Sequence, residues 1–437
     1  MSTSSRDLDR LQATFNHENV VANAGLILPA TLMVRLGLEA LINVWVRTGS
    51  ARPGRKVLTL VAAMMAGATH IDHVNMLRAG ATGRVLPFKV MAPSTVGTFL
   101  RSFTFGHVRQ LDAVLSRTLG RAWAAGAGPG NNPLVIDLDS TICEVHGKQK
   151  QAAGYGYTRV LGYHPLVATR AGTGEVLFAR MRKGSANTAR GVVRFVDELA
   201  ANVRHAGATG PLTVRADSGF WAWKLCDRLD DHGIGWSITV RLVPKVKAAI
   251  ASIDDTAWVD IDYTIGGHAQ VAETIYTTGK GSRQRSVRLV VRRTRLTNKA
   301  QARLWPDWRH HAFITSDQVV DAVEADRFHR EHATVELAIR DLKEGAGLEH
   351  IPSGHYHANA AWLACAVLAH NLGIWVTLIA GGVPVTNRTR RTRLISLAAV
   401  IVNRSGRMLL RLPARWPWAT EFHAALNALR ALPAPSG

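Results

Sequence analysis

The chain has 437 residues, of which 47% are hydrophobic and 19% charged; this excludes a largely disordered protein and is too long for one small core. Its 53 Lys and Arg against 32 Asp and Glu leave a formal net charge of +21, an excess that favours a polyanionic partner, most commonly nucleic acid. The cysteines Cys143, Cys226 and Cys365 form no CxxC pair, which argues against a zinc site and for a reducing compartment. The first residues carry no signal-peptide pattern, so we expect a cytoplasmic protein.

Residues 1–130 are predicted to form helices. Apolar residues recur at helical spacing through Leu36 and Leu41, through 58–65 and through 99–119, and Pro93-Ser-Thr95 is typical of a helix start. A cluster of short helices before an enzymatic core suits a DNA-binding region of the helix-turn-helix kind. Helices that pack without touching DNA fit the same pattern, so the sequence leaves both readings open.

From residue 131 the hydrophobic period changes to that of strands. The patterns predict strands at 133–141, 160–170, 175–183, 212–216 and 236–241, with helices at 188–205 and 220–232. This βββαβαβ order is that of the ribonuclease-H fold. Further strand-like runs interrupt it at about 245–308, and a long helix is expected from about 319 to 343.

The remainder of the chain is predicted to be helical and basic. Residues 360–385 are uncharged and long enough to span a bilayer, but His370 and Asn371 favour a buried core helix. We therefore predict an α/β protein with a ribonuclease-H-like catalytic domain at 131–375, including the β-rich insertion. A helical region at 1–130 precedes it, and a basic C-terminal helical region at 376–437 follows.

Four carboxylates stand out in these elements. Asp137 and Asp139 alternate along the first strand, so both side chains leave the same face. Asp217 ends the fourth strand, and Glu336 lies on the long helix. Two carboxylates on an apolar strand are costly unless they are solvated or bind a cation, and oxygen ligands from separate elements are what Mg²⁺ or Mn²⁺ requires. For each residue alone, a capping or ion-paired role is the alternative.

The same elements carry a resemblance to a known family. Six motifs between residues 130 and 375 resemble those of bacterial insertion-sequence transposases, and they look closest to the insertion-sequence group numbered thirteen-eighty, a relative of group four. The motifs are Asp137-Leu-Asp-Ser-Thr141, Gly147-Lys-Gln149, Gly162-Tyr-His-Pro-Leu166, Met181-Arg-Lys-Gly184, Arg215-Ala-Asp-Ser-Gly219 and the helix around Glu336.

The resemblance implies a DDE transposase, which cleaves DNA at the ends of the element and joins them to target DNA. It implies that Asp139, Asp217 and Glu336 are the catalytic and metal-binding triad, with Mg²⁺ or Mn²⁺ as cofactor. Asp139 is preferred over Asp137 because it stands two residues before Thr141; Asp137 is the alternative first carboxylate or an additional ligand. The implied partner is double-stranded DNA, bound by a dimer at the nucleoid.

The related group carries a Tyr-(2)-Arg-(3)-Glu-(6)-Lys signature around its last carboxylate. Here Glu336 and Lys343 fit, whereas His329 and His332 replace the tyrosine and arginine. These four residues, joined by Arg340, share one helical face, so we expect His329, His332, Arg340 and Lys343 to contact DNA phosphate beside the metal. A solvated basic helix face is the alternative.

The insertion and the C-terminus carry further basic residues. We expect Arg292, Arg293 and Trp308 to contact DNA, and the resemblance implies that an aromatic residue here stacks on a flipped base; for the tryptophan itself, a buried core position is the favoured reading. The wider basic set comprises Lys280, Arg283, Arg285, Arg288 and Arg295, near Trp305. A later run, at Arg388, Arg390, Arg391 and Arg393, is expected to contact phosphate or to lie in a solvated loop.

Two other function classes fit parts of the sequence. An apolar run followed by Asp-x-Asp-x-Thr also opens haloacid-dehalogenase-like phosphatases, where Asp137 would be the nucleophile and Asp139 the acid and base. That class needs a later pair of carboxylates at a strand end, and Asp254-Asp255 precedes a strand instead. The other class is a catalytically inactive DNA-binding protein.

Overall fold

The structure, a computed structural model, describes residues 8, 11–156, 158–263, 267–281, 284–295 and 308–434. After a short strand, the N-terminal region is helical, as its periodicity predicts. Its elements are β1 (Val20–Val21), α1 (Ile27–Arg35), α2 (Leu38–Trp45), α3 (Pro53–Met65), α4 (Pro93–Arg101) and α5 (Phe105–Ala122). Pro93 begins α4, where its missing N–H costs nothing.

The middle of the chain alternates strands and helices. In chain order the elements are β2 (Leu134–Ser140), β3 (Cys143–Glu144), β4 (Gly154–Tyr155), β5 (Leu161–Tyr163), β6 (Leu166–Arg170), β7 (Val176–Arg180), α6 (Val192–His205), β8 (Leu212–Ala216), α7 (Trp223–Asp231) and β9 (Gly235–Thr239). The predicted strand at 160–170 is divided at His164-Pro165, so β5 joins β3 and β4 in a small sheet while β6 joins the main sheet.

The insertion continues this main sheet. It contains α8 (Pro244–Ala251), β10 (Val259–Ile261), β11 (His268–Thr278), β12 (Arg285–Arg295) and β13 (Trp308–Thr315). The strand order across the described residues is β10-β11-β12-β13-β9-β8-β2-β6-β7. β2, β8 and β9 are mutually parallel, β6 and β7 extend the sheet antiparallel on one side, and β13 pairs antiparallel with β9 on the other.

The predicted long helix is interrupted rather than continuous. It consists of α9 (Ala322–Arg330), a 3-10 segment (Glu331–Thr334), α10 (Val335–Arg340) and a π-helical segment (Asp341–Gly345). The Thr334 hydroxyl donates a hydrogen bond to the carbonyl of Glu331, which tightens the 3-10 turn. Changes of helical register of this kind are frequent at functional sites. The carboxylate of interest, Glu336, lies in the first turn of α10.

The C-terminal region follows a buried helix, α11 (Tyr356–Ile379). By length and composition α11 could cross a membrane, but 83% of its most apolar window is buried inside the protein, as the core-helix prediction expected. Then come α12 (Asn387–Arg390), a π-helical segment (Arg391–Ile395), β14 (Ala399–Arg404), β15 (Arg407–Arg411) and α13 (Ala419–Ala431). The expectation of a purely helical C-terminus is therefore wrong, because β14 and β15 form a hairpin that pairs with β1.

One hydrophobic core joins these parts. Buried residues of α3, of β2 and of α11, among them Leu60, Leu138 and Trp362, belong to the same contiguous cluster. The sheet is thus covered by helices that come from both ends of the chain. This arrangement buries the apolar residues of β2 and β8, and the ends of these strands carry the carboxylates described next.

Candidate active site

Three of the four carboxylates come together at one edge of the main sheet. Asp139 lies near the end of β2, Asp217 directly follows the parallel neighbour β8, and Glu336 is brought over them by α10, which packs against β2. The Asp139 carboxyl accepts a 2.6 Å hydrogen bond from the backbone N–H of Ser140, and Asp217 accepts one of 3.0 Å from the N–H of Gly219. The structure thus places the predicted triad in one neighbourhood.

These carboxylates influence one another electrostatically. The pKa of Asp139 is raised to about 6, chiefly because the group is buried. The N–H of Ser140 and the His332 ring oppose that increase, whereas the charges of Asp217 and Glu336 add to it. Within the described part of the chain, none of the three carboxylates has an ion-pair partner. In a chain of net charge +21, three unpaired acids at one place call for a cation.

The three carboxylates lie farther apart than the ligands of a formed metal site. Across the described ranges, no three His, Cys, Asp or Glu side chains lie close enough together to hold a metal ion. The donor set nevertheless suits Mg²⁺ or Mn²⁺, which prefer carboxylate oxygens. Exposed Glu336 and Asp217 stand opposite the more buried Asp139, so the three would have to approach one another to share an ion.

Asp137 has a different environment from Asp139. Its side chain is 1% exposed, and its two oxygens accept hydrogen bonds of 2.8 and 3.0 Å from Nε and Nη2 of Arg215. The Nδ1 atom of His332 lies 3.0 Å from the same carboxylate. Because its oxygens are engaged in this ion pair, the expectation of Asp137 as a metal ligand is wrong for this arrangement. It is a structural partner of Arg215.

Arg215 connects the strands to the helix that carries Glu336. Its guanidinium is 1% exposed, and Nη1 donates to the carbonyl of Phe328 at 2.6 Å and lies 3.3 Å from Glu331. Phe328 lies near the end of α9, and Glu331 is the first residue of the 3-10 segment. The Asp137–Arg215 pair therefore fixes the helix interruption against β2 and β8, and with it the position of Glu336.

The histidines expected to face DNA phosphate are internal. His329 is stacked on Phe313 at 4.1 Å, and its ring nitrogens lie 2.7 Å from the Ser237 hydroxyl and 2.8 Å from the Thr239 hydroxyl. Burial lowers the pKa of His329 well below its usual value, so the ring is neutral and the phosphate expectation is wrong. His332 is held against Asp137 and is 12% exposed, which makes it a positioning residue rather than an open phosphate contact.

The two remaining cations of this helix face differ from each other. Lys343 donates a 3.1 Å hydrogen bond to the carbonyl of Ile142, and so ties the π-helical segment to the loop after β2. Arg340 is exposed and has no side-chain partner in the described part of the chain. Of the predicted phosphate contacts on this face, Arg340 is the residue whose charge is free to meet an anion.

The predicted DNA contacts of the insertion are largely occupied within the protein. Arg292 lies 2.8 Å from the fully buried carboxylate of Asp326. Arg293 is sandwiched between Trp258 and Trp308, with its guanidinium carbon 4.1 and 4.6 Å from the ring centroids. These three half-buried side chains therefore contact other parts of the protein, and their contact with DNA stays a prediction. Arg283 and Trp305 lie outside the described residues.

The basic run after α11 is also internal in part. Arg390 is 3% exposed and donates to the Asn387 side chain and the Val385 carbonyl. Arg391 donates to the carbonyls of Met65 and Gly345. Arg388 is exposed, and Arg393 is half-exposed with its guanidinium carbon 5.6 Å from the centroid of the Trp418 ring, so these two of the run keep a charge that can meet a phosphate.

The comparisons with known proteins identify the family of the chain. A family model described as transposase DDE domain group 1 matches residues 4–434. The chain belongs to this transposase family. A solved structure titled as the piggyBac transposase synaptic complex with hairpin DNA is similar at a TM-score of 0.44 and 13% identity, over 85% of this transposase and 79% of that chain. A search among curated proteins finds no match.

Arg215 is the residue of this transposase that sequence reasoning missed. Arg215 in β8 and Asp137 in β2 are register partners in adjacent parallel strands. A charged residue in the apolar run Leu212-Thr-Val-Arg-Ala216 was the available signal. Two opposite charges at matching positions of two buried strands predict a buried ion pair, which would have separated Asp137 from Asp139.

Proposed function

We propose that this transposase cleaves phosphodiester bonds at the ends of a bacterial insertion sequence and joins those ends to target DNA. Asp139, Asp217 and Glu336 are proposed as the catalytic carboxylates. The observation that carries the proposal is their convergence at one edge of the sheet without ion-pair partners among the described residues, while Asp137 two residues away is paired with Arg215. Membership of the family supports the reaction class.

The proposed cofactor is Mg²⁺ or Mn²⁺, held by the three carboxylates. When bound, such ions activate a water or hydroxyl nucleophile and stabilise the leaving oxygen of a phosphodiester. The chain itself contributes the placement of the ligands. Burial and the Ser140 N–H hold Asp139, the turn at Gly219 holds Asp217, and the Asp137–Arg215 pair holds the helix interruption before Glu336.

A ribonuclease-H-like core is the fold that we propose for the catalytic part. The strand order β7-β6-β2-β8-β9, with β2, β8 and β9 parallel, β6 antiparallel to β2 and β7 antiparallel to β6, supports it. The six ordered motifs support the finer assignment to the insertion-sequence group numbered thirteen-eighty, related to group four. Double-stranded DNA is the proposed substrate, and a dimer is proposed because two ends must be held together for joining.

The test is cleavage of duplex DNA taken from the sequences that flank the gene on both sides, with Mg²⁺ or Mn²⁺ present. We expect Asp139→Ala, Asp217→Ala and Glu336→Ala each to lower cleavage by at least about a hundredfold while DNA binding persists, because each removes a ligand and not a phosphate contact. Glu344→Ala is the matched control, since Glu344 is an exposed glutamate of the same interrupted helix. It should cleave as the parent does.

Cleavage at the parental rate by the Asp217 or Glu336 variant would reject the triad. DNA binding that survives EDTA, with no nicking under either metal, would favour the inactive DNA-binding protein. A haloacid-dehalogenase-like phosphatase needs Asp137 as an open nucleophile, but that carboxylate is 1% exposed and paired with Arg215. Hydrolysis of a small phosphate ester by the parent protein, with trapping of an aspartyl-phosphate, would nevertheless contradict the transposase proposal.

A further inference from the structure

The C-terminal hairpin carries several exposed arginines close together. β14 and β15 are joined by a two-residue turn in which Ser405 and Gly406 both have positive φ, at 51° and 73°. Both residues are in the left-handed region, which is the geometry of the tight turns that match the twist of a hairpin. Residues 403–409 are all exposed, so the end of the hairpin projects from the protein.

The two faces of the hairpin are chemically different. Paired residues of neighbouring strands share a face, so Arg404 and Arg407, which are register partners, lie side by side. Arg411 follows Arg407 by four residues and shares its face. The opposite face bears Ala399 and Ile401, which are buried at 5% and 7% exposure. The hairpin therefore packs with one face and presents three exposed arginines on the other.

Among the residues that the structure describes, no carboxylate neutralises these arginines. The segment from Ala399 to Trp418 contains four arginines and neither Asp nor Glu. In the described part of the chain, Arg404, Arg407 and Arg411 have neither a hydrogen-bond nor an ion-pair partner for their side chains. Like charges directly opposite each other on a hairpin are destabilising. Arg404 and Arg407 are such a pair, so this face is unfavourable until an anion meets it.

We propose that the arginine face of this hairpin, formed by Arg404, Arg407 and Arg411, is a DNA-binding surface that contacts the phosphate backbone independently of sequence. Arg407 and Arg411 are about 13 Å apart along β15, from the usual strand rise. That span is comparable to the major groove, which is about 12 Å wide and admits a two-stranded ribbon. The surface is separate from the carboxylate cluster and rests on the proposed function only for the identity of the polyanion.

The experiment measures binding of the full chain to a labelled random-sequence duplex over a range of salt concentrations. The triple variant Arg404→Ala/Arg407→Ala/Arg411→Ala should bind roughly tenfold or more weakly at about 0.1 M salt. The slope of log affinity against log salt should fall by about 2 to 3, because each phosphate contact contributes about 0.9. The triple lysine variant should keep the slope, since it keeps the charges.

The matched control removes three exposed arginines elsewhere, in Arg47→Ala/Arg194→Ala/Arg430→Ala, and should keep the parental salt slope. An equal loss in both alanine variants would overturn the proposal, because net charge would then explain it. Parental DNA binding by the hairpin variant would also overturn the proposal. This holds even if the variant instead loses self-association or binding to anionic phospholipid vesicles. Asp139→Ala tests the proposed function alone, because it leaves the hairpin unchanged. The hairpin proposal can therefore be rejected while metal-dependent cleavage is observed, and the proposed function can be rejected while the hairpin still binds DNA.

Discussion

The side chains of Asp137 and Asp139 lie on the same face of β2, two residues apart, yet the charges that surround them are opposite in sign. Asp137 faces the buried Arg215 guanidinium, whereas Asp139 faces Asp217 and Glu336. Asp137 is therefore held in a buried ion pair, whereas burial and like charges oppose the ionisation of Asp139 and raise its pKa. The proposed cation site is thus built from groups that repel one another when no cation is bound.

This contrast predicts opposite effects on the metal-free protein. Asp137→Asn should lower the free energy of unfolding by about 3 to 5 kcal/mol, because it leaves the buried Arg215 without its counter-ion. Asp139→Asn should leave that free energy unchanged or raise it, because it removes a destabilised charge. Urea unfolding near pH 7.5 measures both.

Asp217→Asn is the control for the second effect, since Asp217 is exposed and should change stability little. Equal destabilisation by Asp137→Asn and Asp139→Asn would contradict the prediction. It would mean that both strand carboxylates are held by ion pairs, and the choice of Asp139 as a metal ligand would lose its physical basis.

At the scale of elements, Glu175 connects three parts of the fold. This fully buried residue precedes β7, and its carboxylate accepts hydrogen bonds of 2.9 Å from the Trp123 indole after α5 and 2.5 Å from the Trp375 indole on α11. Arg170 lies 3.6 Å away at the end of β6. One acid thus holds an N-terminal helix and a C-terminal helix onto the catalytic sheet.

The buried carboxyl predicts a pH dependence of stability. Burial raises the pKa of Glu175 above its usual 4.5, although the two indoles and Arg170 lower it in part. As pH rises above about 4.5, the unfolded chain releases this proton while the folded protein still retains it, so folding stability falls until the folded-state pKa is passed. Glu175→Gln removes the titrating group and should remove this decline.

The measurement is urea unfolding of the parent and of Glu175→Gln at several values between about pH 5 and 8. The difference between the two curves cancels the groups that both proteins share. We expect the stability of the parent relative to the variant to decrease as pH rises. A difference that is constant with pH, or one that grows in the parent's favour, would show that Glu175 is ionised throughout.

At the scale of the whole molecule, the N-terminal helices are not an independent layer. The apolar surface of α3 is buried on nearly all sides, as expected of a helix inside a larger core. Its principal neighbour is α11, which lies more than 290 residues later in the chain. Whether residues 1–130 bind DNA stays a prediction, but their folding depends on the rest of the chain.

We therefore expect a fragment of residues 1–130 to lack a cooperative unfolding transition and to bind the dye ANS, because the face of α3 that meets α11 would be exposed. The full chain should unfold with coincident near- and far-ultraviolet circular dichroism transitions. A dispersed NMR spectrum and a sharp transition from the fragment would contradict this and would support a separate N-terminal domain.

The sequence by itself determined the elements whose signals are local. The apolar runs around Asp139 and before Asp217 predicted β2 and β8, and the uncharged stretch at 360–385 predicted the buried α11, because periodicity and composition act within one element. The motifs also selected the carboxylates that the fold brings together. Their convergence follows from the parallel pairing of β2 with β8, which ends both strands at one edge.

The tertiary structure alone decided which charges are free. His329 and Arg292 read as surface cations in the sequence, yet Thr239 and Asp326, both distant along the chain, enclose them. The exposed arginines of β14 and β15 looked like part of a basic helical tail until pairing with β1 formed a sheet. Charge is a property of a residue type, but its availability depends on long-range packing, which neither period nor spacing contains.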